Sequence, residues 1–171
     1  MLPPVPQELQ VKFGQVLAQL EHMQSFPLDL LARLYGFMDE YNRFVATFAV
    51  CEKGCSACCE IPVNVSRLEA EYIHRKTGHA IHNNIIAKNG HSPCPFLAEG
   101  GNCSIYQHRP YNCRTFHTLD NPKYCSTGED HAVYGVSSVG YGSDILADLA
   151  AVIRQVNNGE YHDIRVYFQA S

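Results

Sequence analysis

Eight cysteines constrain this 171-residue chain more strongly than any other feature of its sequence. Half of them lie within nine residues, in the run CEKGCSACC, and the other half follow at wider intervals. The dense group contains Cys51, Cys55, Cys58 and Cys59, and the spaced group contains Cys94, Cys103, Cys113 and Cys125. Such thiols are paired as disulfides, bound to metal or kept reduced, and each outcome predicts a different centre for the fold.

A disulfide framework is the plainest alternative to a metal site, and three features argue against it. The N-terminus lacks a basic segment followed by a continuous apolar run, so we expect no secretory signal. A chain of this length can bury a core without covalent staples. A bond between the neighbours Cys58 and Cys59 would be strained. The pattern therefore favours a soft-metal site, with disulfides or free redox thiols as the alternatives.

The composition is that of an ordinary globular protein. Hydrophobic residues make up 46% and charged residues 18% of the chain, which predicts a single soluble domain over residues 1–171 in the cytoplasm. The net charge of -4 provides no basic stripe, so we expect no nucleic-acid partner. Charged residues such as Asp29 and Arg33 interrupt the longest apolar stretch, so we expect no membrane span. No Ser/His/Asp order or glycine-rich phosphate loop supports a hydrolase or a nucleotide-binding protein.

The sequence predicts a mainly α fold with a helical scaffold over residues 7–50. Apolar residues recur at helical spacing and predict a first helix over about residues 7–24. Ser25 is a candidate cap, and Pro27 suits the first turn of a second, long amphipathic helix whose apolar face continues to Phe48. Because the connection is short, we expect the two helices to pack as an antiparallel hairpin.

Shorter elements are predicted around the cysteines. Residues 61–65 are extended, and Ser66 with Glu69 has the form of a capping box for a third helix that ends at Gly78. Residues 80–89 are predicted to form a further short helix. Two apolar pieces flank a Gly-Gly-Asn turn at residues 100–102, which predicts a small β-hairpin that brings Cys94 near Cys103.

The last third of the chain is predicted to hold one clear helix. Arg109-Pro110 begins a turn or short helix that carries Cys113. Residues 133–142 form either a strand or a loop. Within the C-terminal segment 143–171, Ser143 caps a helix that ends near Asn157. Apolar residues then alternate as a possible last strand, at Ile164, Val166 and Phe168.

The cysteine spacing suits a soft metal. Thiolates bind zinc, copper(I) and iron–sulfur clusters, whereas calcium and magnesium need clustered carboxylates. Cys55 and Cys58 can point at one centre from a loop, and Cys51 adds a third candidate across Gly54, which suits a turn with positive φ. Cys59 should point away if Cys58 points inward. One zinc ion or one four-iron cluster needs only four thiolates, so the chain holds two centres or some bystander cysteines.

Several ordered motifs resemble a known family. The run Cys51 to Cys59 is followed by CPFL at residues 94–97, GNCSIY at residues 101–106, and then by Arg109-Pro110 and Cys113-Arg114. Together they resemble the bacterial cysteine-cluster family of YkgJ type (CxxCxxCC), described as a zinc- or iron-chelating domain, over roughly residues 51–116. The resemblance implies metal chelation, without choosing zinc or iron and without a defined reaction. With Cys125 included, the predicted cysteine-cluster region spans residues 51–125. It carries over as candidate metal ligands Cys51, Cys55, Cys58, Cys59, Cys94, Cys103 and Cys113.

Other residues near these motifs are weaker candidates. His91, His108 and His117 lie closest in sequence to cysteines and could complete a mixed site. Arg109 and Arg114 either offset thiolate charge or serve an ordinary turn. Cys125 lies outside the part that resembles the family.

Three functions fit these observations. The first is a protein that binds zinc or iron, as single ions or as an iron–sulfur cluster, for structure, storage or electron transfer. The second is an iron-dependent enzyme that modifies a protein or small molecule, by analogy with larger proteins of similar cysteine pattern such as flagellin lysine methylases. The third is a thiol redox protein that uses Cys58-Cys59 or Cys55 and Cys58, with Lys53 as the nearby cation. The metal ion is the predicted partner, and the sequence names no protein partner.

Overall fold

The computed structural model describes residues 2–51, 54–82, 92–135, 141–157 and 159–169. Short 3-10 helices lie at Ala57–Glu60 and Tyr106–His108. None of the helices in these ranges combines the length and the apolar character that crossing a bilayer requires. The α-helices are α1 (Gln7–His22), α2 (Pro27–Val45), α3 (Arg67–Thr77), α4 (Tyr111–Thr115), α5 (Tyr124–Thr127), α6 (Asp144–Val156) and α7 (Ile164–Tyr167). The strands are β1 (Asn64–Ser66), β2 (His117–Thr118), β3 (Val133–Gly135), β4 (Tyr141–Gly142) and β5 (Tyr161–Asp163).

Helices α1 and α2 pack as the antiparallel hairpin that the sequence predicts. Lys12 Nζ lies 2.5 Å from Glu40 Oε2, and Arg33 Nε donates to Gln19 Oε1 at 2.7 Å, so residue numbers run in opposite directions across the contact. The apolar stripe of α2 is fully buried and forms the centre of the larger core. Its members are Leu30, Leu31, Leu34, Phe37, Met38, Tyr41 and Val45.

A buried carboxylate ties α3 and α4 to this hairpin. Glu69 is only 2% exposed. It accepts hydrogen bonds from the Tyr35 hydroxyl at 2.8 Å and from Tyr111 N at 2.6 Å. The predicted capping box is also present, because Glu69 accepts from Ser66 N at 2.8 Å while its own N–H donates to Ser66 Oγ at 3.1 Å. Glu69 therefore fixes the start of α4, the helix that carries Cys113.

Two small sheets frame the cysteine region. β1 pairs antiparallel with β5, with Val65 opposite His162. β3 pairs antiparallel with β2 and parallel with β4. A second apolar cluster lies beside the first sheet, and Cys94 and Cys103 pack against it. Its buried members are Val65, Ala70, Ile73, Phe96, Ile105, Ile164, Tyr167 and Phe168.

The structure corrects two local predictions. Phe26, not Ser25, stands at the N-cap of α2, and no side chain caps that helix. The predicted last strand over residues 164–168 is wrong, because β5 ends at Asp163 and α7 follows it. Asp163 accepts from Arg165 N at 2.9 Å and so starts a helical turn. The predicted helix over residues 80–89 lies mostly outside the described residues, as does the middle of the 133–142 segment, which is strand at both described ends.

Candidate metal centre

The dense cysteine group lies on a tight turn between α2 and β1. Gly54 has a φ of +100°, the left-handed conformation that the sequence predicts for this glycine. The 3-10 helix Ala57–Glu60 follows, and Cys59 N donates to Ser56 O at 2.8 Å. Cys58 and Cys59 both line the same cavity.

Backbone hydrogen bonds hold Cys94 and the hairpin beside this turn. Cys94 N donates to Cys59 O at 2.8 Å. Leu97 and Cys103 form an antiparallel bridge, and Ala98 N donates to Asn102 O at 2.8 Å, which confirms the predicted hairpin in a very short form. The hairpin turn also contacts the cysteine turn, since a Cβ on Gly101 would lie 3.3 Å from Ser56 Oγ. Cys94 and Cys103 are thereby fixed close to the dense group.

Six cysteines from four separate segments line one cavity of about 50 Å³, which we call the thiol cavity. Apolar side chains, including Phe96, Ile105 and Ile164, supply much of the remaining wall. The structure therefore brings together six of the seven cysteines that the sequence proposes as metal ligands. These six are Cys55, Cys58, Cys59, Cys94, Cys103 and Cys113.

A chain of thiol hydrogen bonds crosses the thiol cavity. The hydrogen bond from the Cys59 thiol lowers the pKa of Cys58 to about 7, and the charge of Arg109 acts in the same direction. A second hydrogen bond from Cys59 lowers the pKa of Cys94 to about 7. Donation to Cys58 and to Cys94 raises the pKa of Cys59 itself. Cys58 and Cys94 are thus the thiols most easily converted to the thiolates that bind metal.

Two other cysteines of the thiol cavity, Cys103 and Cys113, are harder to ionise. Burial raises the pKa of Cys113, and the neighbouring charges of Cys58 and Cys94 raise it further. Burial likewise raises the pKa of Cys103. A bound cation would reverse this effect, because a metal ion favours the deprotonated form of a thiol that coordinates it.

Two arginines place positive charge beside the thiols. Arg109 lines the thiol cavity, stacks on the Tyr106 ring at 3.7 Å and donates from Nε to Tyr106 O at 3.0 Å. Arg165 is 4% exposed and donates from Nη2 to Cys59 O and Ile61 O, each at 3.2 Å. Its Nε also donates to Ser92 O at 2.5 Å. Arg165 therefore connects the two segments that carry Cys59 and Cys94.

Arg114 has a structural role and lies outside the thiol cavity. Its guanidinium is 1% exposed, lies over the Tyr35 ring at 4.3 Å and pairs with Asp39 at 2.5 Å. It also donates to Arg109 O at 2.7 Å and to Gln107 O. Of the two arginines proposed from the sequence to offset thiolate charge, the structure places only Arg109 beside the thiols.

Cys51 and Cys125 lie together outside the thiol cavity. Thr118 N donates to Cys51 Sγ at 3.1 Å, and the Thr118 hydroxyl also contacts Cys125. Cys125 is 5% exposed, and burial followed by the charge of Cys51 raises its pKa to about 11. Its Sγ lies 3.6 Å from His131 Nε2. The role of Cys51 as a metal ligand stays a prediction.

Of the histidines proposed as ligands, the two that the structure describes, His108 and His117, do not line the thiol cavity. His91 lies outside the described residues. His117 Nε2 lies 2.9 Å from Arg114 O and 3.2 Å from Asn42 Oδ1, so it donates there, and burial lowers the pKa of His117 to about 4. His108 packs its ring edge-on against Tyr72.

The thiol cavity has the donor atoms that a soft metal needs, but its side chains are not yet arranged as a set of metal ligands. Within the described part of the chain, no group of three or more Cys, His, Asp or Glu side chains is already arranged to hold one metal ion. Six thiols nevertheless share one small, largely apolar cavity, and three of them are joined by hydrogen bonds. Thiolate ligands of this kind select zinc, copper(I) and iron–sulfur clusters. The residues present therefore fit zinc or iron by donor type.

Comparison with protein families agrees with this donor set. Residues 50–132 match the CxxCxxCC family, described as "Putative zinc- or iron-chelating domain". This segment, which contains all eight cysteines, is what the chain shares with the CxxCxxCC family. The family description supports metal binding of the zinc or iron type by this part of the chain. Searches of curated proteins and of solved structures gave no match.

The chain departs in one position from the pattern in the family's name. In CxxCxxCC the first cysteine precedes the second by three positions, whereas Cys51 precedes Cys55 by four, with Glu52 at the expected position. Cys51 also lies outside the thiol cavity, so sequence offset and position agree. Cys51 is nevertheless close enough to the dense group for the charges of Cys55 and Cys58, after burial, to raise its pKa.

Arg165 and His131 lie beside cysteines, and neither position was predicted from the sequence. The position of Arg165 beside Cys59 and Cys94 depends on the pairing of β1 with β5, which no local pattern announces. The contact between Cys125 and His131 could have been suspected from the sequence, because the two residues are only six apart in the chain.

Proposed function

We propose that the thiol cavity binds zinc or iron through cysteine thiolates and that this is the main function of the chain. The observation that carries the proposal is the convergence of six cysteines, from four segments, on one cavity of about 50 Å³. Convergence from distant segments is expected of a metal site and is unnecessary for isolated reduced thiols. The family description supports the same class of metal.

Charge supports binding at this place. Several thiolates in a small cavity repel one another, and a divalent cation or an iron–sulfur cluster offsets that repulsion. Hydrogen bonds from the Cys59 thiol lower the pKa of Cys58 and of Cys94, and the charges of Arg109 and of Arg165, respectively, act in the same direction. Cys58 and Cys94 would therefore deprotonate first and recruit the metal, and the remaining thiols would follow.

Metal content under reducing, anaerobic conditions tests the proposal. The protein should be purified anaerobically, and its zinc, iron and acid-labile sulfide should be measured beside its absorption spectrum. We expect at least one equivalent of zinc without visible absorption, or iron with broad visible absorption and matching sulfide if a cluster forms. A metal content below about a tenth of an equivalent, after reconstitution with either metal, would refute the proposal.

Matched cysteine variants locate the site. Cys58→Ser and Cys94→Ser should each lose most of the bound metal, because both thiols line the cavity. Cys125→Ser should keep it, since that thiol lies with Cys51 outside the cavity. Cys51→Ser tests the family pattern directly, and retention of metal in that variant is the expected result. Full retention by Cys58→Ser and Cys94→Ser together would place the metal elsewhere.

A second candidate function is iron-dependent modification of a small molecule. One observation favours it: a cavity of about 570 Å³ shares Cys58 and Cys113 with the thiol cavity. This volume falls within the usual range of about 300–1,000 Å³ for small-molecule sites. Consumption of an organic molecule by the iron-loaded protein, and not by the zinc-loaded protein, would establish this candidate.

A further inference from the structure

The larger cavity, which we call the side cavity, lies against the thiol cavity. It occupies about 570 Å³, and its wall includes Ile61 and Val63 of the segment before β1, residues of α4, and the whole of β3. Cys58, Ile61, Val63 and Cys113 line both cavities. A molecule in the side cavity would therefore lie within reach of two cysteines of the proposed metal centre.

Among the described residues that line the side cavity, only the Cys58 thiol, with its pKa lowered to about 7, carries charge near neutral pH. None of the described residues that line it is Asp, Glu, Lys, Arg or His, although 18% of the whole chain is charged. An ion placed among such walls would lose its hydration without gaining a partner, which costs several kcal/mol or more. The cavity therefore selects against charged molecules.

Two aromatic residues, Phe116 and Tyr134, line the side cavity, and the contacts of Tyr134 hold it in place. Tyr134 is 5% exposed, and its hydroxyl forms a hydrogen bond of 2.6 Å with the hydroxyl of Tyr41. The Tyr134 ring also packs edge-on against Phe48 at 5.1 Å. Phe116 lines the same space. Because these contacts hold Tyr134 in place, that face of the cavity is formed before a molecule enters it.

Polar groups at the side cavity are few. Asn64 and Asn112 are exposed, and Asn112 Nδ2 donates to Asn64 O at 2.6 Å. The second amide hydrogen and the side-chain oxygen of Asn112 leave capacity for a further hydrogen bond. Thr115 uses its hydroxyl on Tyr111 O at 3.1 Å and so contributes little polar character. Apolar walls with a few orienting polar groups are characteristic of small-molecule sites.

We propose that the side cavity binds a neutral, mainly apolar small molecule that carries an amide, carbonyl or hydroxyl group. Its apolar body packs between the Ile61–Val63 segment and the Phe116 and Tyr134 rings, and its polar group bonds the asparagine amides. Binding itself needs only these walls. The approach of the molecule to Cys58 and Cys113 as metal ligands rests on the proposed function.

Benzamide and benzoate form a matched pair of probes for this proposal, because they share a ring and differ in charge. Amide NMR shifts of the isotope-labelled protein, as isolated, give the dissociation constant of each probe and the residues affected. We expect benzamide to shift residues of α4 and β3 and to bind at least about tenfold more tightly than benzoate. Equal binding of both probes, or no binding of benzamide, would overturn the proposal.

A cavity-filling substitution distinguishes this site from non-specific apolar binding. Val133 lines the cavity, so Val133→Trp should weaken benzamide binding at least about tenfold by occupying its space. Val11→Trp adds the same volume on α1, where Val11 is 56% exposed, and should leave binding unchanged. Val133→Phe serves as a milder filling variant if Val133→Trp does not fold. Unchanged benzamide binding in a folded Val133 variant would contradict the proposal.

The same titration separates this inference from the proposed function. A protein that binds benzamide in the Val133-sensitive manner but takes up neither zinc nor iron would retain the side-cavity site and lose the metal centre. A protein that takes up metal but shows no Val133-sensitive binding would retain the metal centre and lose the side-cavity site.

Discussion

Replacement of Arg165 by methionine should loosen the cysteine centre more than any other change of a residue that is not a cysteine. Arg165 is 4% exposed, and its guanidinium donates to three backbone carbonyls, those of Ser92, Cys59 and Ile61. Methionine keeps the apolar stem of the arginine but removes all three donors. The segments that carry Cys59 and Cys94 would lose the side chain that joins them.

The expected cost follows from these contacts. Each carbonyl bond contributes about 1 kcal/mol net, so three bonds give about 3 kcal/mol, with more if a carbonyl stays buried without a partner. Methionine also removes the ion pair of Arg165 Nη1 with Asp163 Oδ2 at 3.1 Å, which adds to this cost although Asp163 keeps its bonds from Val63 N and Arg165 N. For a chain of this size, about 3 kcal/mol lowers the melting temperature by roughly 6–12 °C. Loss of a side chain that orients ligand segments should also weaken metal binding by about 10–100-fold.

Urea unfolding of the metal-free, reduced protein measures the first effect, and competition with a coloured zinc chelator measures the second. Arg165→Lys should lower stability and zinc affinity less than Arg165→Met does, because one ammonium group still reaches some of the carbonyls, although fewer than the guanidinium. Arg75→Met is the matched control, since Arg75 is exposed on α3. If Arg165→Met changed stability by less than about 0.5 kcal/mol and left zinc affinity intact, Arg165 would not hold the cysteine segments together.

Three further predictions address the scaffold. Gly135→Ala should destabilise by about 3 kcal/mol in urea unfolding, because its Cβ would lie 2.1 Å from Thr115 O. Glu69→Gln should cost about 2–3 kcal/mol in the same assay, because an amide cannot accept all three hydrogen bonds that the carboxylate receives. Burial lowers the pKa of His117 to about 4, so the unfolded state binds a proton first as the pH falls. The metal-free protein should therefore lose about 3 kcal/mol between pH 6.5 and pH 4, measured as unfolding free energy at each pH, and His117→Gln should remove that part of the loss.

Each of these predictions has a matched control. Gly14→Ala, with open space around the new Cβ on α1, should stabilise the protein by about 0.5–1 kcal/mol, and a similar gain for Gly135→Ala would show that the predicted clash is absent. Glu71→Gln should change stability by less than about 1 kcal/mol, because its pair with Arg67 is largely exposed. His22→Gln, on an exposed position, should leave the pH profile as it is in the unsubstituted protein. An unaltered profile in His117→Gln would mean that His117 does not sense the pH.

Much of the helical scaffold is predictable because its signals are local. The stripe of α2, the capping box at Ser66 and Glu69, and the left-handed Gly78 that ends α3 each depend on residues within a few positions of one another. The last segment shows the limit of such signals. Ile164, Val166 and Phe168 alternate as in a strand, yet Asp163 caps a helical turn there.

The candidate site divides in the same way. The family motifs identify the cysteines but contain no information on distances in space. They therefore cannot distinguish the six thiols that line one cavity from Cys51, which lies beside Cys125. That separation depends on where β2 places Thr118, which is a tertiary outcome. Arg165 reaches Cys59 from more than one hundred residues away because β5 pairs with β1.

The sequence alone determined the type of site. Clustered cysteines in a chain that shows no sign of a disulfide framework favour soft metals, because thiolates are soft donors. It also determined the longer helices α1, α2, α3 and α6, because their periodicity and caps depend on neighbouring residues. Only the tertiary structure decided which thiols share a cavity and which arginines lie beside them. It also placed a cavity of about 570 Å³ against Cys58 and Cys113. These properties arise where segments distant in sequence pack together, and the free energy of that packing depends on the whole core.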